Sequence, residues 1–192
     1  MTNKDQSEML APISARIQQA SIDLRWGGRI GFWVQLVLGV ISTVTVLFSI
    51  SIFINGDDNP AARGAEFAVF CAICGLVALI VGIYFSLRYM RIAQLLQDPN
   101  PANRPKRADT ISVIRIGLIV NLVGMVVTIV GAEAIVGIVL AKSLANPPTI
   151  VEDTSKLVNS IDLLVIQANT NTIAAHFAGI VSSLLLLNRI TR

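Results

Sequence analysis

Residues 30–54 read IGFWVQLVLGVISTVTVLFSISIFI, 25 consecutive positions without an Asp, Glu, Lys or Arg. A helix rises about 1.5 Å per residue, so roughly 20 apolar residues cross the hydrocarbon core of a bilayer. This stretch is long enough to span, and three more follow it. Phe67 to Leu87 is uncharged, Ile116 to Ala141 carries one charge, Glu133, and Leu163 to Asn188 is uncharged but polar between Gln167 and Thr172. Across all 192 residues only 14% are charged and 54% are hydrophobic, against about 25% charged in an ordinary soluble domain. Burying four such helices without a membrane would need a large soluble shell, and no sequence remains to build one. The expected fold is therefore all-α: a polytopic membrane protein whose four transmembrane helices form a bundle of two tandem helical hairpins.

The basic residues orient it. Lys4, Arg16, Arg25 and Arg29 precede the first span. Arg88, Arg91, Arg104, Lys106, Arg107 and Arg115 lie between the second and third, and Arg189 and Arg192 follow the fourth. Only Arg63, Lys142 and Lys156 fall on the other side, a split of 12 to 3. The positive-inside rule then places both termini and the central loop in the cytoplasm. The basic balance is a topology signal, and no nucleic-acid partner follows from it. The first apolar run is too long for a signal-peptide core and lacks a small-x-small cleavage site. The start shows no plastid-type transit peptide, which favours a bacterial inner membrane.

The organisation expected is a cytoplasmic tail over 1–28 and a membrane domain over 29–192, with spans at about 30–54, 67–87, 116–141 and 163–188. Within the tail, Ile13, Ile17, Ala20 and Leu24 share a face, which predicts an interfacial amphipathic helix over 12–25. Asn59-Pro60 predicts an outer turn, Pro99, Pro101 and Pro105 an irregular inner linker, and Asn146-Pro147-Pro148 the end of the third helix. Thr154 is placed to cap a lead-in to the fourth.

An internal repeat runs through these elements. Arg29-Ile30-Gly31-Phe32-Trp33-Val34-Gln35-Leu36-Val37 aligns with Arg115-Ile116-Gly117-Leu118-Ile119-Val120-Asn121-Leu122-Val123, so that the amides Gln35 and Asn121 coincide. A weaker echo joins Gly82-Ile83-Tyr84-Phe85-Ser86-Leu87 to Gly179-Ile180-Val181-Ser182-Ser183-Leu184. The repeat hairpins are 29–90 and 115–190, related by an axis along the membrane normal. Gly117, Gly124 and Gly131, seven residues apart, mark a closely packed helix face.

The stretch Arg25-Trp26-Gly27-Gly28-Arg29-Ile30-Gly31-Phe32-Trp33-Val34-Gln35-Leu36-Val37-Leu38-Gly39-Val40, with four spans and a basic, Pro-rich central loop, resembles cyanobacterial homologues of the chloroplast inner-envelope permease family. That family has also been described as a membrane component of the Tic translocon. The resemblance implies either transport of iron or another metal ion, or a part in protein translocation. It brings no ligand motif with it.

From the residues themselves, Glu133 is the one charge inside a span and His176 the one histidine. Cys71 and Cys74 share a helix face at comparable depth. Together they could form a transient metal site or proton relay, thiolate and imidazole suiting iron, copper or zinc. Against this, a single cysteine pair cannot close a tetrahedral site, and a lone His with a lone Glu can be a structural pair. Gln35 and Asn121 could line an inner constriction or only join helices. No nucleotide loop, triad or zinc-protease motif is present, so no enzyme is expected. The leading expectation is a permease for a small ion, with no resident cofactor beyond a transported metal. The alternative is a non-transporting translocon or assembly component. The partners expected are the lipid bilayer, further copies of the chain and proteins of a membrane complex.

Overall fold

The computed structural model describes residues 14–55, 65–145 and 160–191. They form four long helices, α1 (Ala15–Asn55), α2 (Ala65–Leu95), α3 (Arg107–Ala145) and α4 (Ser160–Thr191), and a 3-10 turn at Pro101–Asn103. All four are long and apolar enough to cross a membrane. The outer turn at Asn59-Pro60 and the lead-in capped by Thr154 lie outside the described residues. α3 ends at Ala145, immediately before Asn146-Pro147-Pro148, where proline removes the backbone donors a helix needs.

The bundle inverts the soluble pattern. Large apolar side chains face outward on every helix, among them Trp33, Phe48, Ile80, Val126 and Phe177. The buried seams are mainly small or polar, with a few aliphatic residues toward the helix ends. On α1 the seam is Ser21, Leu24, Gly28, Gly31, Gln35, Gly39, Ser42, Val46 and Ser49. On α3 it is Thr110, Val113, Ile114, Gly117, Asn121, Gly124, Thr128, Gly131 and Ile135. Spacings of three and four residues keep each seam on one face, and small residues let the backbones approach. An exterior of bare Ile, Leu, Val and Phe around a polar interior is stable only when the surrounding solvent is hydrocarbon. The protein is an integral membrane protein.

Consecutive helices pack side by side, α1 also packs on α4, and α2 and α4 touch across the middle. α1 and α3 therefore occupy the long diagonal. The largest apolar cluster, Leu24, Phe85, Tyr89, Ile92, Ala93, Val113, Ile114 and Leu186, closes the inner end. At the outer end Lys142 and the buried Asp162 form an ion pair at 3.0 Å.

The inner end departs from the sequence expectation. Residues 15–28 do not form a separate interfacial helix; they continue α1 without a break. The face carrying Leu24 is covered by protein. Ser21 Oγ donates to the Ala93 carbonyl at 2.8 Å, and Arg189 pairs with Asp23 at 2.9 Å. Ile13 lies outside the described residues. The helices on either side of the central loop also run further inward than the charge pattern predicts, so the irregular part shrinks to residues 96–106. That part is tied together by its own side chains. Asp98 accepts from the Asn100 backbone at 2.8 Å and from Asn103 Nδ2 at 3.1 Å, and Arg104 Nε donates to the Asp98 carbonyl at 2.9 Å. Cysteines introduced at positions 101 and 57 should be labelled by an impermeant reagent from the cytoplasmic and the opposite side, respectively. Outside labelling at position 101 would reverse the topology.

Candidate functional site: a buried polar latch

The two amides aligned by the repeat meet. Gln35 Nε2 donates to Asn121 Oδ1 at 2.7 Å, bridging α1 and α3 across the long diagonal. Ser86 Oγ on α2 donates to Gln35 Oε1 at 3.0 Å, and Asn121 Nδ2 donates back to the Gly117 carbonyl at 2.9 Å. His176 on α4 completes the set. Its Nδ1 lies 3.1 Å from Asn121 Oδ1, and its Nε2 lies 3.1 Å from the Gly75 carbonyl on α2. Gln35 and His176 are fully buried and Asn121 nearly so. One network thus uses a side chain from each helix, with Asn121 as its hub.

Glycines make room for it. A Cβ built on Gly82 would sit 2.8 Å from Asn121 Oδ1 and 3.1 Å from Gln35 Nε2. One on Gly179 would sit 2.5 Å from both atoms. Gly124 lies against the His176 ring, and Gly117 against the Tyr89 hydroxyl. Gly82 and Gly179 are the two glycines of the weaker sequence echo, so both halves of the repeat converge on this point. Ser86 and Ser183 are equivalent under the same alignment. Ser86 bonds Gln35, whereas Ser183 lies 3.3 Å from the Tyr89 hydroxyl. The repeat breaks at His176, whose counterpart is the buried Leu79.

The hydrogen-bond roles constrain the ring. A carbonyl only accepts, so Nε2 carries a proton toward Gly75. Asn121 Oδ1 already accepts from Gln35, and Asn121 Nδ2 is committed to Gly117. With its proton on Nε2, a neutral ring presents Nδ1 as an acceptor, and Asn121 Nδ2 meets it when the amide turns over. The ring's tautomer and the orientation of the Asn121 amide are coupled.

The structure does not bring Glu133 to this site. Gly131 faces Cys71 and the Ala68 carbonyl, so Glu133, two residues on, lies level with the Glu66 end of α2. It is about 13 Å further out than Gly124, which touches His176, nine residues at 1.5 Å each. Its side chain is exposed on the outer face of α3. The structure therefore keeps the exposed Glu133 apart from the buried His176, and the two do not form the pair that the sequence suggested. Cys71 is buried and Cys74 half-buried, both as free thiols. Among the described residues no three His, Cys, Asp or Glu side chains converge as a metal site.

Sequence reading missed Ser86, Thr128, Thr172, Asn169, Ser183 and Tyr89. Thr128 and Thr172 are buried beside Gly75. Asn169 is fully buried, donates to the Val165 carbonyl at 3.1 Å, and its Oδ1 has no hydrogen-bond partner among the described residues. The signal available was the three-and-four spacing of small and polar residues on α4, from Ala168 and Asn169 through Thr172, His176 and Gly179 to Ser183.

The chain is similar to a curated plant protein, Protein TIC 21, chloroplastic, of Arabidopsis thaliana. The two are 33% identical over 195 residues, covering 98% of this chain and 64% of that protein, so the chain spans a little under two thirds of its relative's length. No solved structure matches it. The model of the family described as "Protein of unknown function (DUF3611)" matches residues 14–191, which takes in all four helices and the latch. By that match, the chain belongs to the DUF3611 family.

Proposed function

We propose that the chain is a permease for a small ion, held here in a closed state. The observation that carries this reading is the polar column along the bundle axis. From the outer side it runs through Ser42, Asn169, Thr172 and Thr128 to His176, Asn121 and Gln35, then through Ser86, Tyr89 and Ser183 to Ser21 and Thr110. Interhelical hydrogen bonds in membranes average only about 0.6 kcal/mol. That is little return for an imidazole and two amides at bilayer depth, and ionisable groups there are functional by default. The Gln35–Asn121 bar crosses the column and is the gate. His176 is coupled to it, because the ring's tautomer and the orientation of the Asn121 amide change together.

The cargo is a proton or a small cation, with iron or another divalent metal favoured by the resemblance to the permease family. A metal in this column would meet imidazole, hydroxyl and amide oxygen rather than a carboxylate cluster. A second reading is a translocon or assembly component without transport of its own. The name of the plant relative and the glycine-packed, closed core favour it.

Liposomes carrying the purified chain, loaded with a pH dye or a divalent-metal dye, decide between them. The wild type should pass ions at least tenfold faster than protein-free vesicles. His176→Leu should abolish that flux, and Glu133→Gln should keep it. Wild-type flux no faster than empty liposomes would remove the permease reading and leave the assembly role.

A further inference from the structure

We propose that the inner end of the bundle holds a binding site for the phosphate headgroup of an anionic lipid. A cavity of about 440 Å³ opens there, between the inner ends of α1, α3 and α4 and the loop after α2. This lies within the range of small-ligand sites, about 300–1,000 Å³. Its walls carry the guanidinium groups of Arg16, Arg104, Arg107 and Arg189 against one carboxylate, Asp23. The excess of three positive charges faces a space whose remaining walls are mainly apolar, with Ile17, Leu24 and Leu96 among them.

Three of the four arginines are fixed in place. Arg107 donates from Nε at 3.1 Å and Nη2 at 2.6 Å to the Ile190 carbonyl. Arg189 Nη1 donates to Asp23 Oδ1 at 2.9 Å, and Arg104 Nε to the Asp98 carbonyl at 2.9 Å. A guanidinium has five N–H donors, and these contacts use one or two of each set. The others can turn to a single anion. Arginine's planar fork matches phosphate oxygens better than an ammonium does.

The depth selects the source of that anion. Arg189 directly follows the uncharged run of α4 and pairs with Asp23 at 2.9 Å, so that wall of the cavity begins where an apolar span ends. Basic pockets between helices on the cytoplasmic face suit lipid headgroups. Apolar walls give a lipid's glycerol and first methylenes a surface that free phosphate would not use. The latch plays no part in this site, and of the column only its inner end, Thr110, reaches the cavity wall; none of the four arginines belongs to the column, so the site stands whether or not the chain transports.

The test uses the full chain in detergent micelles, titrated with dioctanoyl phosphatidylglycerol, dioctanoyl phosphatidylcholine or inorganic phosphate and followed by thermal unfolding. Phosphatidylglycerol should raise the unfolding temperature saturably, whereas phosphatidylcholine should leave it unchanged. Arg16→Gln/Arg104→Gln should weaken the phosphatidylglycerol effect at least tenfold in concentration. Equal responses to both lipids, or an unchanged response in the double variant, would overturn the site. Stabilisation by inorganic phosphate alone, equal to that by phosphatidylglycerol, would overturn the lipid assignment. If the double variant does not fold, Asp23→Asn carries the test with the opposite sign. Removing the opposing carboxylate should tighten phosphatidylglycerol binding about threefold, and unchanged affinity would count against the proposal.

Discussion

Gly179→Leu should abolish the folded bundle, whereas Gly137→Leu should leave it intact. Both glycines lie in helices that cross the membrane, and helix propensity favours leucine at both. They differ in what surrounds them. Even a single Cβ on Gly179 would stand 2.5 Å from both Asn121 Oδ1 and Gln35 Nε2. Those atoms cannot retreat, because each is held by a hydrogen bond to another helix. A leucine would have to push α4 away from the α1–α3 diagonal and pull the latch apart. Overpacking by added methylenes costs about 1–3 kcal/mol, occasionally more, and orphaned buried polar groups cost about 1–3 kcal/mol each. A loss above about 4 kcal/mol follows, roughly a thousandfold in the folded-to-unfolded ratio. At Gly137 nothing lies within 4 Å, so a change within about 0.5 kcal/mol is expected, as for other exposed positions. Yield of monodisperse protein and thermal unfolding in micelles measure both. Equal behaviour of the two variants would mean that the latch is not packed as described.

Asn121→Leu should cost more than Gln35→Leu, and the pair should cost less than the sum. The leucine preserves shape but removes the acceptor for Gln35 Nε2 and the partner of His176 Nδ1 together, leaving two buried polar atoms unsatisfied. Gln35→Leu leaves only the Ser86 hydroxyl without its acceptor, since Asn121 Oδ1 still faces His176. Allowing for the modest value of such bonds in membranes, about 2–4 kcal/mol is expected for Asn121→Leu and about 1 kcal/mol for Gln35→Leu. In the double variant the orphaned Gln35 amide no longer exists, so the costs should fall short of additivity by about 1 kcal/mol. Equal, additive costs would remove Asn121 from its place as hub.

Much of this molecule could be read from the chain. Runs such as 30–54 and 67–87 mark spans because no other environment satisfies so many uncharged residues in a row. Gly117, Gly124 and Gly131 mark a packed face because seven residues return to the same side of a helix, and all three are buried there. The repeat placed Gln35 level with Asn121, since both sit six residues above an arginine at the same boundary. That their amides bond was beyond the sequence, because it depends on α1 and α3 lying across a diagonal narrowed by Gly82 and Gly179.

Other features were settled by three dimensions alone. Glu133 looked level with His176 because the two depths were counted from separate helix ends. The register of α3 against α2, with Gly131 facing Cys71 and the Ala68 carbonyl, puts Glu133 level with Glu66 instead. Residues 15–28 carry an amphipathic pattern that fits a membrane surface as well as a protein surface, and only the partners Ala93 and Arg189 distinguish the two. Periodicity states which residues share a face. It does not state what the face meets or how far one helix slides along another, because those depend on contacts between segments far apart in the chain. Here the sequence by itself determined that four helices are long and apolar enough to span and that Gly117, Gly124 and Gly131 share a buried face, and the tertiary structure decided that His176, Asn121, Gln35 and Ser86 form one network from which Glu133 is excluded.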